Sequence, residues 1–120
     1  MDTQPCHPSL AVEGVEGATV VTFTVPTVQG EETIKGIGEH LSALAEKAEY
    51  PRLVLDFSRV HYFGSGMLAR LVNLHKQTEA LGGGLALCAL SPHLKEIFEA
   101  TRLNEFFALY PDREAALKAW

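Results

Sequence analysis

Three short apolar runs, RLVLDF (residues 52–57), LALCAL (85–90) and FFALY (106–110), are separated by stretches whose apolar residues return every three to four positions. This alternation of periods constrains the fold more than any other feature of the chain. An unbroken apolar run bounded by breakers reads as a strand covered on both faces. Helices between such strands supply both the cover and the crossovers that a parallel sheet needs. The sequence therefore predicts an α/β sandwich.

The N-terminal part departs from that rhythm. Residues 18–25, ATVVTFTV, are rich in β-branched side chains and read as a strand. Residues 10–15, before the Glu16-Gly17 turn, are its candidate hairpin partner, and Pro26 ends the run. Over residues 30–49 the period changes. Ile34, Ile37, Leu41, Leu44 and Ala48 mark one helical face, and Glu31 and Glu32 fall in the first turn, where the helix dipole favours acids. Pro51 stops that helix. A second is expected over residues 65–81, with Leu68, Leu71, Val72 and Leu74 on its apolar face and Gly82-Gly83-Gly84 as its stop. Ser91-Pro92 opens a third, through about Thr101, and Pro111-Asp112 opens a last one that ends near Trp120. The predicted order is β-β-α-β-α-β-α-β-α. It gives a mixed, mostly parallel sheet with an N-terminal antiparallel hairpin and about four helices packed mainly on one face. Residues 1–9 read as a tail and residues 10–120 as one domain.

Charge and composition remove several classes of function. The net charge is -5 and no cluster of Lys or Arg is present, so a nucleic-acid partner is not expected. No run reaches the length of a membrane span, and MDTQPCHPSL lacks the basic start and apolar block of a secretory signal. Cys6 and Cys88 fit no metal or redox spacing; Cys88 is expected in the core and Cys6 in the tail. A reduced, cytoplasmic protein without direct membrane insertion is expected. No two histidines share a helix face at metal spacing, and His40, His61 and His75 are each read as solvated. No metal or cofactor is expected.

The stretch that carries a functional question is FGSGML, residues 63–68. Gly64, Gly66 and Ala69 fit a dinucleotide fingerprint, but that motif needs a strand running straight into it, and six residues intervene after Phe57. A nucleotide P-loop needs a Lys followed by Ser or Thr where Met67-Leu68 stands. Ser65, His61 and Asp56 are near enough in sequence to suggest a nucleophile with a base, yet the elbow pattern is not met. The structural reading is that Ser65 is an N-cap and the glycines permit the turn into the helix. No catalytic constellation emerges, and a non-enzymatic protein is expected.

Two long segments carry a resemblance. LVLDFSRVHYFGSGMLARLVNLHKQ resembles the central segment of STAS domains of the anti-sigma factor antagonist type. There a buried strand, an acid or amide, a connector and an aromatic-apolar pair lead into Asp-Ser-(Ser/Thr/Ala)-Gly-Leu at a helix start. GGGLALCALSPHLKEIFEATRLNEFFALYPDREAAL resembles the remainder, through its glycine turn, Ser-Pro helix start and acidic-Ala-Ala-Leu final helix. The resemblance covers about Leu10 to Trp120. Where the family's motif has an acid, this chain has Gly64, and its small-then-Gly positions are Gly66 and Met67.

The resemblance implies a non-enzymatic module in a partner-switching pathway. Ser65 matches the serine that an anti-sigma factor phosphorylates, that factor being a serine kinase of histidine-kinase-type ATPase fold. A PP2C-type phosphatase would reverse the step. The implied partner surface comprises Phe63, Gly64, Ser65, Gly66 and Met67, with Thr27 and Gln29 from the loop after the second strand. A monomer or weak dimer is expected. A second job known for such domains, a constitutive scaffold or small subunit on an ABC-type lipid transporter, would leave Ser65 unmodified. A nucleotide binder using Gly64–Gly66 ranks last.

Overall fold

The computed structural model describes residues 9–15, 17–47 and 51–119. In chain order the elements are β1 (Leu10–Val15), β2 (Ala18–Phe23), β3 (Thr27–Val28), α1 (Glu31–Lys47), β4 (Arg52–Asp56), β5 (Tyr62–Phe63), α2 (Ser65–Ala80), β6 (Gly84–Cys88), α3 (Pro92–Ala100), α4 (Leu103–Phe106), β7 (Ala108–Tyr110) and α5 (Arg113–Lys118). The main sheet has the order β1-β2-β4-β6-β7. β1 and β2 are antiparallel, and β2, β4, β6 and β7 run parallel. The expected mixed sheet and N-terminal hairpin are therefore present. Residues 1–8 of the expected tail, Cys6 among them, lie outside the described residues; Ser9 is buried, and its C=O accepts from Thr24 N–H at 2.8 Å.

Strand alternation divides the core in two. Val21, Phe23, Leu53, Leu55, Phe57, Leu85 and Leu87 face one way and meet Ile34, Ile37, Leu41, Met67, Leu71, Leu94 and Phe98 from α1, α2 and α3. Val20, Val54, Ala86 and Cys88 face the other way, under Ala116 and Leu117 of α5. Helices α1, α2 and α3, with Leu103 of the short α4, thus cover the large face, and the short α5 covers the small face. On α1 the buried stripe is Ile34, Ile37, Leu41 and Ala45; Leu44 is only partly buried, and Ala48 lies outside the described residues.

An aromatic chain ties the large face together. Phe23 stacks on Phe57 at 4.7 Å, Phe57 meets Phe63 at 5.8 Å, Phe63 meets Phe98 at 6.1 Å, and Phe98 meets Phe107 at 5.7 Å. Such pairs add about 0.5–1.5 kcal/mol each beyond area burial. Phe63 is the link that fixes the segment before α2 to the core.

Three expectations need correction. Residues 106–110 do not form one strand: Phe106 closes the short α4, Phe107 is buried, and β7 begins at Ala108. The segments around residues 27 and 62 are not plain connectors. β3 and β5 pair in parallel as a separate two-stranded sheet, with Thr27 opposite Tyr62 and Val28 opposite Phe63. His75 is not solvated: its side chain is 14% exposed and its ring lies 4.5 Å from that of Phe106.

Candidate functional site

The β3–β5 pair joins the two loops that the sequence singled out separately. Pro26 C=O accepts from His61 N–H at 2.7 Å and from Tyr62 N–H at 3.3 Å, and Val28 C=O accepts from Gly64 N–H at 2.9 Å. Within β5 the alternation turns Phe63 inward, at 2% exposure, and Tyr62 outward, at 41%. The backbone that enters α2 is therefore held on both sides, by a hydrogen-bonded neighbour and by an aromatic anchor.

Ser65 opens α2 with an exposed side chain. It is not the N-cap. Gly64 occupies that position with φ -72° and ψ 160°, and no side chain caps the helix. The reason is local: the hydrogen bond to Val28 of β3 holds Gly64 in extended backbone as the cap, so helical geometry starts at Ser65, one residue earlier than a Ser65 cap would place it. The first-turn amides of α2 are left without a side-chain acceptor beside the Ser65 hydroxyl.

The N-terminus of α1 lies alongside. A Cβ placed on Gly64 would sit 3.5 Å from Ile34 Cδ1, and one on Gly66 3.7 Å from it. Further along, Arg70 lies over Gly38, and Ser42 Oγ donates to Gln77 Oε1 at 2.9 Å. Contacts that advance together along both chains mean that α1 and α2 run side by side in the same direction. Their positive dipole ends meet at Ser65. Glu31 and Glu32 occupy the first turn of α1 and are exposed.

Of the expected partner residues, Thr27, Gln29, Ser65 and Gly66 are exposed and Gly64 is half-buried. Phe63 and Met67 are corrected: at 2% and 0% exposure their side chains belong to the core and offer a partner no contact. Helical phase explains Met67, which falls on the stripe it shares with Leu71 and Leu74. Tyr62 was missed, because its exposure follows from a pairing with Thr27 that no local pattern encodes.

The structure removes the Ser65–His61–Asp56 arrangement. Asp56 accepts from Ser58 N–H at 2.9 Å and from Arg113 Nη2 at 3.1 Å, on the sheet face that α5 covers. α2 covers the other face. Among the described residues no group of three or more His, Cys, Asp and Glu could hold a metal, and no helix is long and apolar enough to cross a membrane. What remains is an exposed serine at the positive end of α2, framed by the loops of β3 and β5.

Comparison with known proteins agrees with this layout. The sequence model of the STAS domain matches residues 9–116. BtrV of Bordetella bronchiseptica, named for anti-sigma factor antagonism, is 38% identical over 80 residues, 67% of this chain and 68% of that protein. The solved structure of an anti-sigma-factor antagonist (STAS) domain protein from Planctomyces limnophilus superposes with a TM-score of 0.81 and 26% identity, covering 91% of this chain and 96% of that one. SpoIIAA, a Bacillus cell fate determinant solved in its phosphorylated form, has a TM-score of 0.71, 15% identity and coverage of 92% and 99%. At that identity the likeness to SpoIIAA is one of fold.

Proposed function

Because this chain belongs to the STAS domain family, we propose that it is an anti-sigma factor antagonist, a non-enzymatic cytoplasmic module whose docking is switched by phosphorylation of Ser65. The observation that carries the reading is the placement of Ser65: exposed, first in α2, and flanked by the paired loops of β3 and β5. The name of BtrV supports the antagonist role, and SpoIIAA gives a precedent for phosphorylation on this fold.

The physics of the switch follows from that placement. A phosphate adds about -1.5 to -2 charges at pH 7. The fold tolerates it, because the α2 amides and the converging dipoles of α1 and α2 favour an anion there. A docked partner does not: the same charge adds to Glu31 and Glu32 and must be desolvated at the interface. Binding changes while the domain stays folded. The partner that phosphorylates and binds is a serine kinase of histidine-kinase-type ATPase fold, and a PP2C-type phosphatase resets the module.

The test is capture from lysate of the native host on immobilised wild-type chain, Ser65→Ala and Ser65→Glu, with bound proteins identified by mass spectrometry. A kinase-fold anti-sigma factor held by wild type and Ser65→Ala, and lost with Ser65→Glu, is the expected result. Equal retention of one partner by all three forms would overturn the switch and make the domain a constitutive scaffold, such as a transporter subunit.

A further inference from the structure

Among the described residues three large apolar side chains are exposed: Tyr62, Leu81 and Phe106. Leu81 caps the far end of α2 from Ser65, and Phe106 packs on His75 in the middle of that helix. Tyr62 alone of the three stands beside Ser65. Its ring stacks on His93, with centroids 6.5 Å apart and planes 27° apart. His93 is exposed in the first turn of α3, a turn fixed by Pro92 and by Ser91 Oγ, which accepts from Leu94 N–H at 3.2 Å. Both rings therefore project from fixed backbone, so immobilising them in a complex costs little conformational entropy. The core needs neither, since each ring points outward.

Size sets a further condition. A stable protein–protein interface takes about 800 Å² and 20–30 residues from each partner. Segments 26–29 and 61–66 hold four and six residues, well short of that. The face must extend beyond Ser65, toward either α1 or α3. The α1 side offers Glu31 and Glu32, and charged groups are depleted from interface centres, where aromatic groups are enriched. The α3 side offers the Tyr62–His93 pair.

We infer that the docking face for the anti-sigma factor runs from Ser65 across Tyr62 to His93 on the first turn of α3, with Tyr62 as its aromatic anchor and Glu31 and Glu32 at its rim. This rests on the function proposed above. The partner is a folded domain with a cleft for the Tyr62 ring, and Ser65, three residues on from that anchor, carries its phosphate into the same interface.

The test uses the purified anti-sigma factor that wild type retains, titrated against wild type, Tyr62→Ala, His93→Ala, Phe106→Ala and Ser65→Glu, each with its thermal midpoint measured. Tyr62→Ala is expected to weaken binding about tenfold or more and His93→Ala about threefold to tenfold, in the range of interface anchors and their neighbours. Phe106→Ala should bind as wild type does, and amides in the first turn of α3 should gain hydrogen-exchange protection in the complex. If Tyr62→Ala and His93→Ala bind like wild type while Ser65→Glu is excluded, α3 lies outside the interface and the switch reading stands without it. If wild type retains no anti-sigma factor, both readings fall.

Discussion

The guanidinium of Arg113, at the start of α5, closes on the carboxylate of Asp56, at the end of β4, with Nη2 3.1 Å from Oδ2. Arg113 also donates to Thr22 Oγ1 at 3.0 Å and to Glu13 Oε1 at 3.3 Å. One side chain thus ties β1, β2 and β4 to the helix that covers the small face. The hydrogen bond that Arg113 donates to Asp56 holds the guanidinium pKa above its ordinary value, so Arg113 is charged at every working pH.

Arg113→Ala should destabilise the domain, because the Asp56 carboxylate is 8% exposed and would lose its counter-ion. Breaking a fully buried pair costs about 3–5 kcal/mol. Arg113 itself is 37% exposed, so solvent screens the interaction and the expected loss is about 1–2 kcal/mol. Glu13→Ala should cost little, since its carboxylate is mostly in water. Urea titrations of the two variants check both values. Equal stability for Arg113→Ala and wild type would show that α5 is held by Ala116 and Leu117 alone.

Cys88 is paired in register with Asp56 and is fully buried. Burial, and then the Asp56 charge, push its thiol from 9.0 up to about 12. Below pH 9 both folded and unfolded chains keep this proton, and Cys88 contributes no pH dependence. Between 9 and about 12 the unfolded chain releases the proton while the folded chain retains it. Stability must therefore fall as pH rises through that window, by up to about 1.4 kcal/mol per pH unit. Cys88→Ala should start less stable and show a shallower decline over the same window. Parallel declines in chemical denaturation at pH 9–11 would remove Cys88 as the cause.

Gly83 has no room for a side chain. A Cβ there would stand 1.8 Å from the Pro51 carbonyl oxygen, which accepts from Gly84 N–H at 2.8 Å. Gly83→Ala must separate the entry to β4 from the entry to β6, and backbone cannot swing aside as a flexible side chain can. A loss of about 1–3 kcal/mol or more is expected, the scale of overpacking. Gly14→Ala, where a Cβ meets nothing within 4 Å, is the matched control. Similar melting temperatures for the two variants would contradict the close approach.

The elements that the sequence revealed are those whose signal is local. β4 and β6 are covered on both faces and read as unbroken apolar runs, and α1 carries its stripe at helical spacing. What was hidden depends on pairing across the chain. β3 and β5 are two residues each, too short for a period, and exist because Thr27 finds Tyr62. The Arg113–Asp56 bridge spans 57 positions. At the site, Ser65 was legible from its neighbours, but the inward turn of Phe63 and the outward turn of Tyr62 follow from that hidden pairing. The shift of the α2 cap from Ser65 to Gly64 comes from the same bond to Val28.

That shift leads to a prediction about Gly64 itself. Its φ of -72° suits any residue, and a Cβ would make ordinary contact with Ile34 at 3.5 Å. Gly64→Asp should therefore be accepted, and its carboxylate can take the N–H of Gly66, which no side chain now caps; Met67 N–H already donates to Gly64 C=O at 2.9 Å. The expected gain is a few tenths of a kcal/mol, a rise of about one to three degrees in the thermal midpoint. The Gly66 amide is among those that favour an anion on Ser65. Two negative groups drawing on one set of donors also repel each other, so their effects cannot add. The gain from Gly64→Asp should shrink or reverse in a Ser65→Glu background. A double-mutant cycle by thermal denaturation measures this coupling. Strict additivity would mean that a negative charge on Ser65 does not draw on the α2 amides, and that its tolerance by the fold must be explained by solvent instead.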